Sequence, residues 1–494
     1  MRKKFLYTLI ILIGILFLNI IIANSADAQN ISRREFLENL LTARNINWYD
    51  SPEYLNNNAA GFILRSGIVT DTVENLNAPV TRLDALRWCM QSLGLEFEAG
   101  IFSDMPLEFK DVKKLNALER GYLFVASEMQ PVIFAKSDSF RPRDNLTRDE
   151  MNAIIERVRN ASLNLKIEAV RHPLKGVELL VHRDGVFTGV PSWQVLASGF
   201  KSKLQIDYAR KFFKSQGFTL TLGTDQFGGG YYLRSKRTND FNEIRRLTNL
   251  MQLREVKYKI VPSVANSNTS ILPRYWVALF IDPEFWNVRP MTSRGGANEF
   301  AVLSEIARVN NSKAVINAGF FGINRGRGFP IGLLRINGRH FSNSYENRGC
   351  IGWNYIGDAM FANASQDVID MYWGDIRNII QAGPLFLHEG VTSDVDEAFK
   401  PEFTVARHPR TATGKTSDGR WVFLVFDGRN GMHSTGATIS ELTNLAYSLK
   451  MTDALNLDGG GSSEIIINNK IYNFPSEGYE RLISYAIGII PIKN

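Results

Sequence analysis

The sequence predicts an α+β multidomain protein: helical N-terminal repeats, a small α+β domain, and a larger mixed-sheet α+β domain at the C-terminus. Three observations lead there. A helix start recurs through the first third, each time followed by apolar residues at helical spacing. One strand–helix–strand–strand–helix succession follows. The last half mixes apolar strand-like runs with a few helices and lacks the regular alternation of a doubly wound sheet. A chain of 494 residues has room for about three or four domains. The boundaries expected are 1–28 for a leader, 29–162 for the repeats, 165–253 for the small domain and 255–494 for the large one.

The apolar fraction is 44% and the charged fraction 22%, ordinary for a chain that buries large cores. Net charge is +7 with no dominant basic run. This favours anionic surroundings such as wall polymers or phospholipid surfaces and gives no argument for nucleic acid. Arg2, Lys3 and Lys4 precede an apolar run from Phe5 to Ala23 and then Ala26-Asp27-Ala28. That is a secretory signal peptide cut before Gln29, or alternatively an uncleaved anchor, since the run approaches the length of a span. Either places the protein outside the cytoplasm, secreted to the periplasm or surface of a bacterial cell envelope. Cys89 and Cys350 lie far apart and are expected as two buried small apolar residues rather than a disulfide.

The repeated helix start reads Ile31-Ser32-Arg33-Arg34-Glu35-Phe36, Val80-Thr81-Arg82-Leu83-Asp84-Ala85 and Leu146-Thr147-Arg148-Asp149-Glu150-Met151. Each Ser or Thr is placed to cap a helix, and each carries an acid in the first turn. With Gly67-Ile68 and Phe140-Arg141-Pro142, this region resembles S-layer homology modules. The alanine of that family's cap motif is replaced here by Arg34, Leu83 and Asp149. The resemblance implies binding to anionic cell-wall polysaccharide; a purely structural helical domain is the alternative.

The middle region runs from strand-like Val177-Glu178-Leu179-Leu180-Val181 through a helix around Gln205–Phe213, the strand Phe218–Leu222, Asp225-Gln226-Phe227-Gly228-Gly229-Gly230, a strand at Tyr231–Arg234 and a second helix from Phe241 to Met251. A small sheet with helices on one face follows from that order. Its Ala209–Phe218 core, with Ala-Arg-x-Phe and a closing Gly-Phe, resembles the sporulation-related repeat (SPOR) family. That resemblance implies binding to peptidoglycan; the alternative is a spacer.

In the C-terminal region, Thr438-Ile439-Ser440-Glu441 is a capping box opening an amphipathic helix to about Lys450. The segment Asn456-Leu457-Asp458-Gly459-Gly460-Gly461-Ser462-Ser463 sets three Cβ-free residues beside a carboxylate and two hydroxyls. Such a loop suits close approach to an anion or sugar, and equally a tight turn. Other polar residues stand at strand ends: Asn317, Arg410, Thr411, Asp427, Arg429. Arginines bind phosphodiesters through two parallel hydrogen bonds, and aspartates serve acid–base or charge-stabilising roles in glycosidic cleavage. Each alone also reads as a turn former or ion-pair partner. His408 stands beside Arg410 as a further acid–base candidate. No metal-site spacing, phosphate-binding P-loop or nucleophile elbow occurs, so no cofactor is expected; a divalent cation at Asp427 or Asp458 remains open.

The ordered set Asn317-Ala318-Gly319-Phe320-Phe321, Ala382-Gly383-Pro384, Arg410-Thr411-Ala412-Thr413-Gly414, Asp427-Gly428-Arg429, Glu441-Leu442, Asn456 to Ser463, Asn473-Phe474-Pro475-Ser476 and Glu480-Arg481 resembles the phosphodiester glycosidase family. The resemblance implies hydrolysis of a sugar-1-phosphodiester, such as one of N-acetylglucosamine, to free sugar and a phosphomonoester. It carries over a site with Asp458, Asp427 and Arg410 as catalytic residues. Asn317, Thr411, Gly459, Gly460, Ser462, Ser463 and Arg481 bind substrate, with Arg410 and Arg481 on the phosphate. The expected partners are a sugar phosphodiester and cell-wall polysaccharide or peptidoglycan. The rival reading is a non-catalytic glycan-binding envelope scaffold.

Overall fold

A computed structural model describes residues 30–224, 231–266, 269–324, 327–345, 348–354, 358–393 and 399–492. The expected leader and the Gly228–Gly230 run lie outside the described residues. Among the described residues no helix is long and apolar enough to cross a membrane. The chain divides into two compact units, 1–64 with 68–162 and 65–67 with 163–494.

The first unit is helical. Its main helices are α1 (Arg33–Arg44), α2 (Arg82–Ser92), α3 (Ala117–Glu128) and α4 (Arg148–Asn164). The three recurring caps form as the sequence predicts: Ser32, Thr81 and Thr147 hydroxyls accept from the amides of Glu35, Asp84 and Glu150 at 3.1, 3.1 and 3.2 Å. The acids of the last two return the bond, since the Thr81 and Thr147 amides donate to Asp84 and Glu150. The cap segments also pair with one another, Val80 N with Ile31 O and Leu146 N with Val80 O. Cys89 and Cys350 are free and buried, and burial pushes the Cys350 thiol up to about 12.

The second unit begins with a hairpin, β1 (Lys166–Leu174) and β2 (Val177–Asp184). A β-α-β-β-α-β run follows: β3 (Pro191–Phe200), α5 (Lys203–Ser215), β4 (Leu220–Thr224), β5 (Tyr231–Ser235), α6 (Phe241–Leu253) and β6 (Lys257–Val264). These strands make a four-stranded sheet in the order β4-β5-β3-β6. Pro191, Trp193, Val195 and Ala197 alternate into its buried face.

Two assignments differ from those the sequence predicts. Val177–Val181 belongs to β2, which pairs not with the small sheet but with β7 (Arg274–Ile281). Conversely β6, expected to open the large domain, pairs with β3 from Pro191↔Val264 to Ser198↔Lys257. The physical reason is burial: alternating residues Val177, Leu179 and Val181 of β2 are buried against the large core, whereas the small sheet needs a fourth strand after its second helix. The border expected at 253–255 therefore separates no two sheets.

The eight-stranded sheet runs in the order β1, β2, β7, β20 (Trp421–Phe426), β19 (Arg410–Thr416), β21 (Met451–Asn456), β17 (Leu385–His388) and β18 (Val391–Thr392). Trp421–Phe426 is buried throughout, which explains its unbroken apolar sequence: both faces are covered. On one face Ala278, Phe280, Val422 and Leu424 pack with Leu442 and Ala446 of α7 (Ile439–Ser448), whose capping box joins Thr438 and Glu441. On the other face Trp421 stacks on Trp353 at 5.8 Å of β14 (Arg348–Trp353), part of a five-stranded sheet with β12 (Leu334–Ile336), β13 (Arg339–Ser342), β15 (Ala359–Ala364) and β16 (Asn378–Ala382). A third sheet holds β8 (Trp286–Thr292), β9 (Ala314–Asn317), β22 (Ile465–Ile467), β23 (Lys470–Ile471) and β24 (Tyr485–Pro491), and β10 (Phe321–Asn324) pairs with β11 (Arg327–Pro330) in a two-stranded sheet. The expected mixed sheet is corrected here. Every pairing among these named strands is antiparallel.

A Cβ at Gly414 would sit 1.7 Å from the Asp453 carbonyl, so Gly414→Ala is expected to lower unfolding stability by about 2 kcal/mol through overpacking. Gly100 lies in an N-terminal helix with nothing within 4 Å of its would-be Cβ, so Gly100→Ala should instead stabilise by about 0.5–1 kcal/mol. Denaturant unfolding of the two variants should move in opposite directions.

Candidate active site

Strand register assembles the site. β19 lies between β20 and β21, antiparallel to both, with Arg410 opposite Phe426 and Ala412 opposite Asn456. The start of β19 and the ends of β20 and β21 therefore share one sheet edge. Asp427 and Asp458 emerge there on either side of Arg410 and Thr411. Asn317, at the end of β9 in a different sheet, ties in from below. Its Nδ2 donates to the Asp458 carbonyl at 2.6 Å, and its Oδ1 accepts from Thr411 Oγ1 at 2.7 Å and from Glu464 N at 3.2 Å.

The glycine run is a close-packed floor. A Cβ at Gly459 would stand 2.7 Å from the Pro409 carbonyl. At Gly460, whose φ is +65°, it would stand 3.0 Å from Arg429 Nη2. At Gly461 it would collide with the Arg481 guanidinium at 2.2 Å and the Glu477 carboxyl at 2.5 Å. Only a loop without side chains lets two arginines approach Asp458 this closely.

Asp458 is partly exposed. Its loss of hydration is nevertheless enough to raise its pKa to about 6, against the lowering effects of the Ser462 hydroxyl, Arg481, the Gly459 amide and Arg429. Arg481 is paired with Glu477 and reaches Ser462 Oγ at 3.4 Å. Arg429 is exposed, has φ +60°, and makes no hydrogen bond or ion pair among the described residues. Its guanidinium is thus free to take an anion beside Asp458.

Several expected site residues turn out to be internal struts. Arg410 is 1% exposed. Its Nε donates to Ala437 O at 3.0 Å, and its Nη2 donates to Phe403 O and Ala406 O at 2.6 and 3.0 Å. Burial and the Arg429 charge lower its pKa to about 10. The exposed guanidinium at this sheet edge belongs to Arg429, not to Arg410. Asp427 is also 1% exposed and saturated. Oδ1 accepts from Asn473 Nδ2 at 2.9 Å, and Oδ2 accepts from Phe474 N at 2.7 Å and lies 2.8 Å from His433 Nε2. A carboxylate so engaged holds loops together rather than exchanging protons with a substrate. Asn317 and Thr411 are spent on each other and on the loop. The Gly459 and Gly460 amides, expected to face substrate, donate to Asp458 Oδ1 and Pro409 O. Ser463 is buried with its hydroxyl unpartnered. His408 has its pKa lowered by burial and by Arg410 and Arg429.

The sequence reading omitted Glu464, His433 and Glu477. Glu464 is 3% exposed with Oε1 unpartnered, and burial, with Glu480 adding to it, pushes its pKa far above the carboxylate range. Its signal was visible, an acid between the loop serines and Ile465-Ile466-Ile467. His433 and Glu477 carry no comparable mark, because their partners come from elsewhere in the chain. No cluster of three metal-ligating side chains occurs among the described residues.

The polar site thus has the ingredients of an acid–base hydrolase acting on an anionic substrate: a carboxyl tuned near neutrality between two cations. Residues 310–490 match the phosphodiester glycosidase family. The chain is 40% identical over 77 residues to the SPbeta prophage-derived uncharacterized protein YomE of Bacillus subtilis, covering 16% of this chain and 12% of that one. It is 23% identical over 194 residues to human N-acetylglucosamine-1-phosphodiester alpha-N-acetylglucosaminidase, covering 37% of each. The match thus spans well under half the length of these relatives. The catalytic domain of the zebrafish enzyme of that name, auto-inhibited by its pro-peptide, aligns with a TM-score of 0.38 and 18% identity over 55% of this chain and 81% of that one.

Replacing Asp427 by Asn would point an amide donor at other donors. Asp427→Asn is expected to lose about 2 kcal/mol or more of stability, read as a lower urea midpoint. An unchanged midpoint with lost activity would return Asp427 to the chemistry.

Proposed function

We propose that this protein is an exported cell-envelope hydrolase that cleaves the glycosidic bond of sugar-1-phosphodiesters, N-acetylglucosamine phosphodiesters among them. The observation that carries this reading is Asp458, with its raised pKa, beside Arg429 and Arg481 over the glycine floor. The family match over 310–490 supports it. The N-terminal charged and apolar leader directs export. The capped helical unit and the β-α-β-β-α-β sheet hold the enzyme to wall polysaccharide or peptidoglycan, as their sequence resemblances imply.

The chemistry follows from the leaving group. A phosphomonoester leaves as an anion, so the departing oxygen needs neutralising charge more than a proton, and Arg429 with Arg481 supplies it. Water must then be activated at the anomeric carbon. Asp458 takes its proton as the carbon–oxygen bond to phosphate breaks and the electron pair leaves with the phosphate. Burial disfavours the charged form of Glu464 beneath the loop, which weakens its competition for the arginines.

Asp458→Asn is expected to lower kcat/KM for release of N-acetylglucosamine from UDP-N-acetylglucosamine by about 10²–10⁴-fold with the fold intact. Arg429→Ala should cost about a hundredfold, and Arg410→Ala should unfold the site rather than act on substrate alone. Because Asp458 works as the carboxylate, kcat/KM should rise with pH through about 6, and that limb should vanish in Asp458→Asn. A limb falling through pH 6 would make Asp458 an acid. Absence of turnover on a panel of sugar phosphodiesters, with peptidoglycan pull-down retained, would favour a scaffold.

A further inference from the structure

Lys259 lies on β6, in the small sheet and outside the matched 310–490 region. In the order β4-β5-β3-β6, β6 is an edge strand, and it runs against the loops that build the site. The Val264 carbonyl would stand 2.7 Å from a Cβ at Gly431, and Asn266 Nδ2 donates to Gly431 O at 3.2 Å. Further along the strand, the Lys259 stem lies over Gly478, where a Cβ would be 2.7 Å from Lys259 Cδ. Its ammonium sits 4.2 Å from the centroid of the Phe474 ring. Gly478 and Phe474 belong to the segment that carries Glu477 and Arg481, and the Phe474 amide binds Asp427.

This ammonium has no hydrogen bond or ion pair among the described residues. It is half-buried, and burial lowers its pKa to about 8 although Asp427 and Glu464 act in the opposite direction. Neither carboxylate meets it directly: Asp427 is engaged by its own three donors, and burial disfavours the charged form of Glu464. A half-buried ammonium without a hydrogen bond or ion pair is costly unless an anion completes it.

Resting on the glycosidase reading, we propose that Lys259 binds the anionic phosphate of the substrate, so that the small sheet forms a wall of the site and selects charged over neutral glycosides. The contact exists before and during bond cleavage. Its loss therefore raises KM more than it lowers kcat.

The test uses the full chain, with binding of UDP-N-acetylglucosamine measured by calorimetry and free-sugar release measured in parallel. Lys259→Met keeps the stem over Phe474 and Gly478 and should weaken binding about tenfold at an unchanged unfolding midpoint. Lys259→Arg should restore most of it. If Lys259→Met proves unfolded, Lys259→Gln is read in its place. Binding within twofold of wild type, or a wild type that binds no nucleotide sugar, overturns the proposal. Wild-type binding that Lys259→Met loses, without sugar release by either, supports Lys259 and removes the glycosidase reading. Turnover that is indifferent to Lys259 does the reverse.

Discussion

The structure of the site depends on the absence of three Cβ atoms. With side chains at 459–461, the Pro409 carbonyl, Arg429 and Arg481 with Glu477 could not all close on one loop. Asp458 would then stand in open solvent with an ordinary carboxylate pKa. Because they do close, its carboxyl loses hydration, and its proton is held until about pH 6 even with two guanidinium groups close by. Desolvation outweighs charge attraction here. The native state thus binds this proton more tightly than the unfolded chain. Stability from this group is present below the ordinary carboxylate pKa and is lost as pH rises through about 6. A loop that tunes a carboxyl in this way works against the fold at neutral pH, and something else must hold it down.

Asp427 does that. It emerges from the neighbouring strand at the same sheet edge, yet its environment is the reverse of that around Asp458. Its two oxygens collect a side-chain amide, a backbone amide and an imidazole, and its own carbonyl accepts from Ser434. Asn473 donates onward to the Ser463 carbonyl, so one carboxylate fastens the Asp427 turn, the 473–474 segment and the glycine loop together. Asn317 completes the frame from a second sheet. One aspartate is satisfied and rigidifying; the other keeps fewer donors and loses its hydration, and desolvation raises its pKa.

Much of this was legible in the sequence. The three helix caps, the capping box at Thr438, the unbroken apolar run Trp421–Phe426 and the glycine loop each carry a local physical signature, and each forms where its residues predict. What failed was partner choice. Arg410 and Arg429 both looked like phosphate ligands. Only the fold reveals that the carbonyls of Phe403, Ala406 and Ala437 converge on Arg410. Strand β2 read as part of the small sheet because it precedes it, but alternation within a strand does not say which sheet buries it. Lys259 is illegible for the same reason, since nothing near it in sequence names Phe474 or Gly478.

The position of β6 has a wider consequence. It completes the small sheet on one side, and on the other it presses on Gly431 and Gly478, two glycines whose would-be Cβ atoms contact that strand or its side chains. A domain tethered only to find a polymer would be linked by flexible, polar chain. Here the two sheets instead share strands of one compact unit, 163–494, with β1 and β2 entering the large sheet before the small one begins. Cutting at 253–255 would remove the other three strands of the small sheet, among them β3, with which β6 pairs, and would strip the site loops of the edge they rest on. The small sheet is thus built into the same compact unit as the candidate site, and its edge strand touches the segment that carries Arg481.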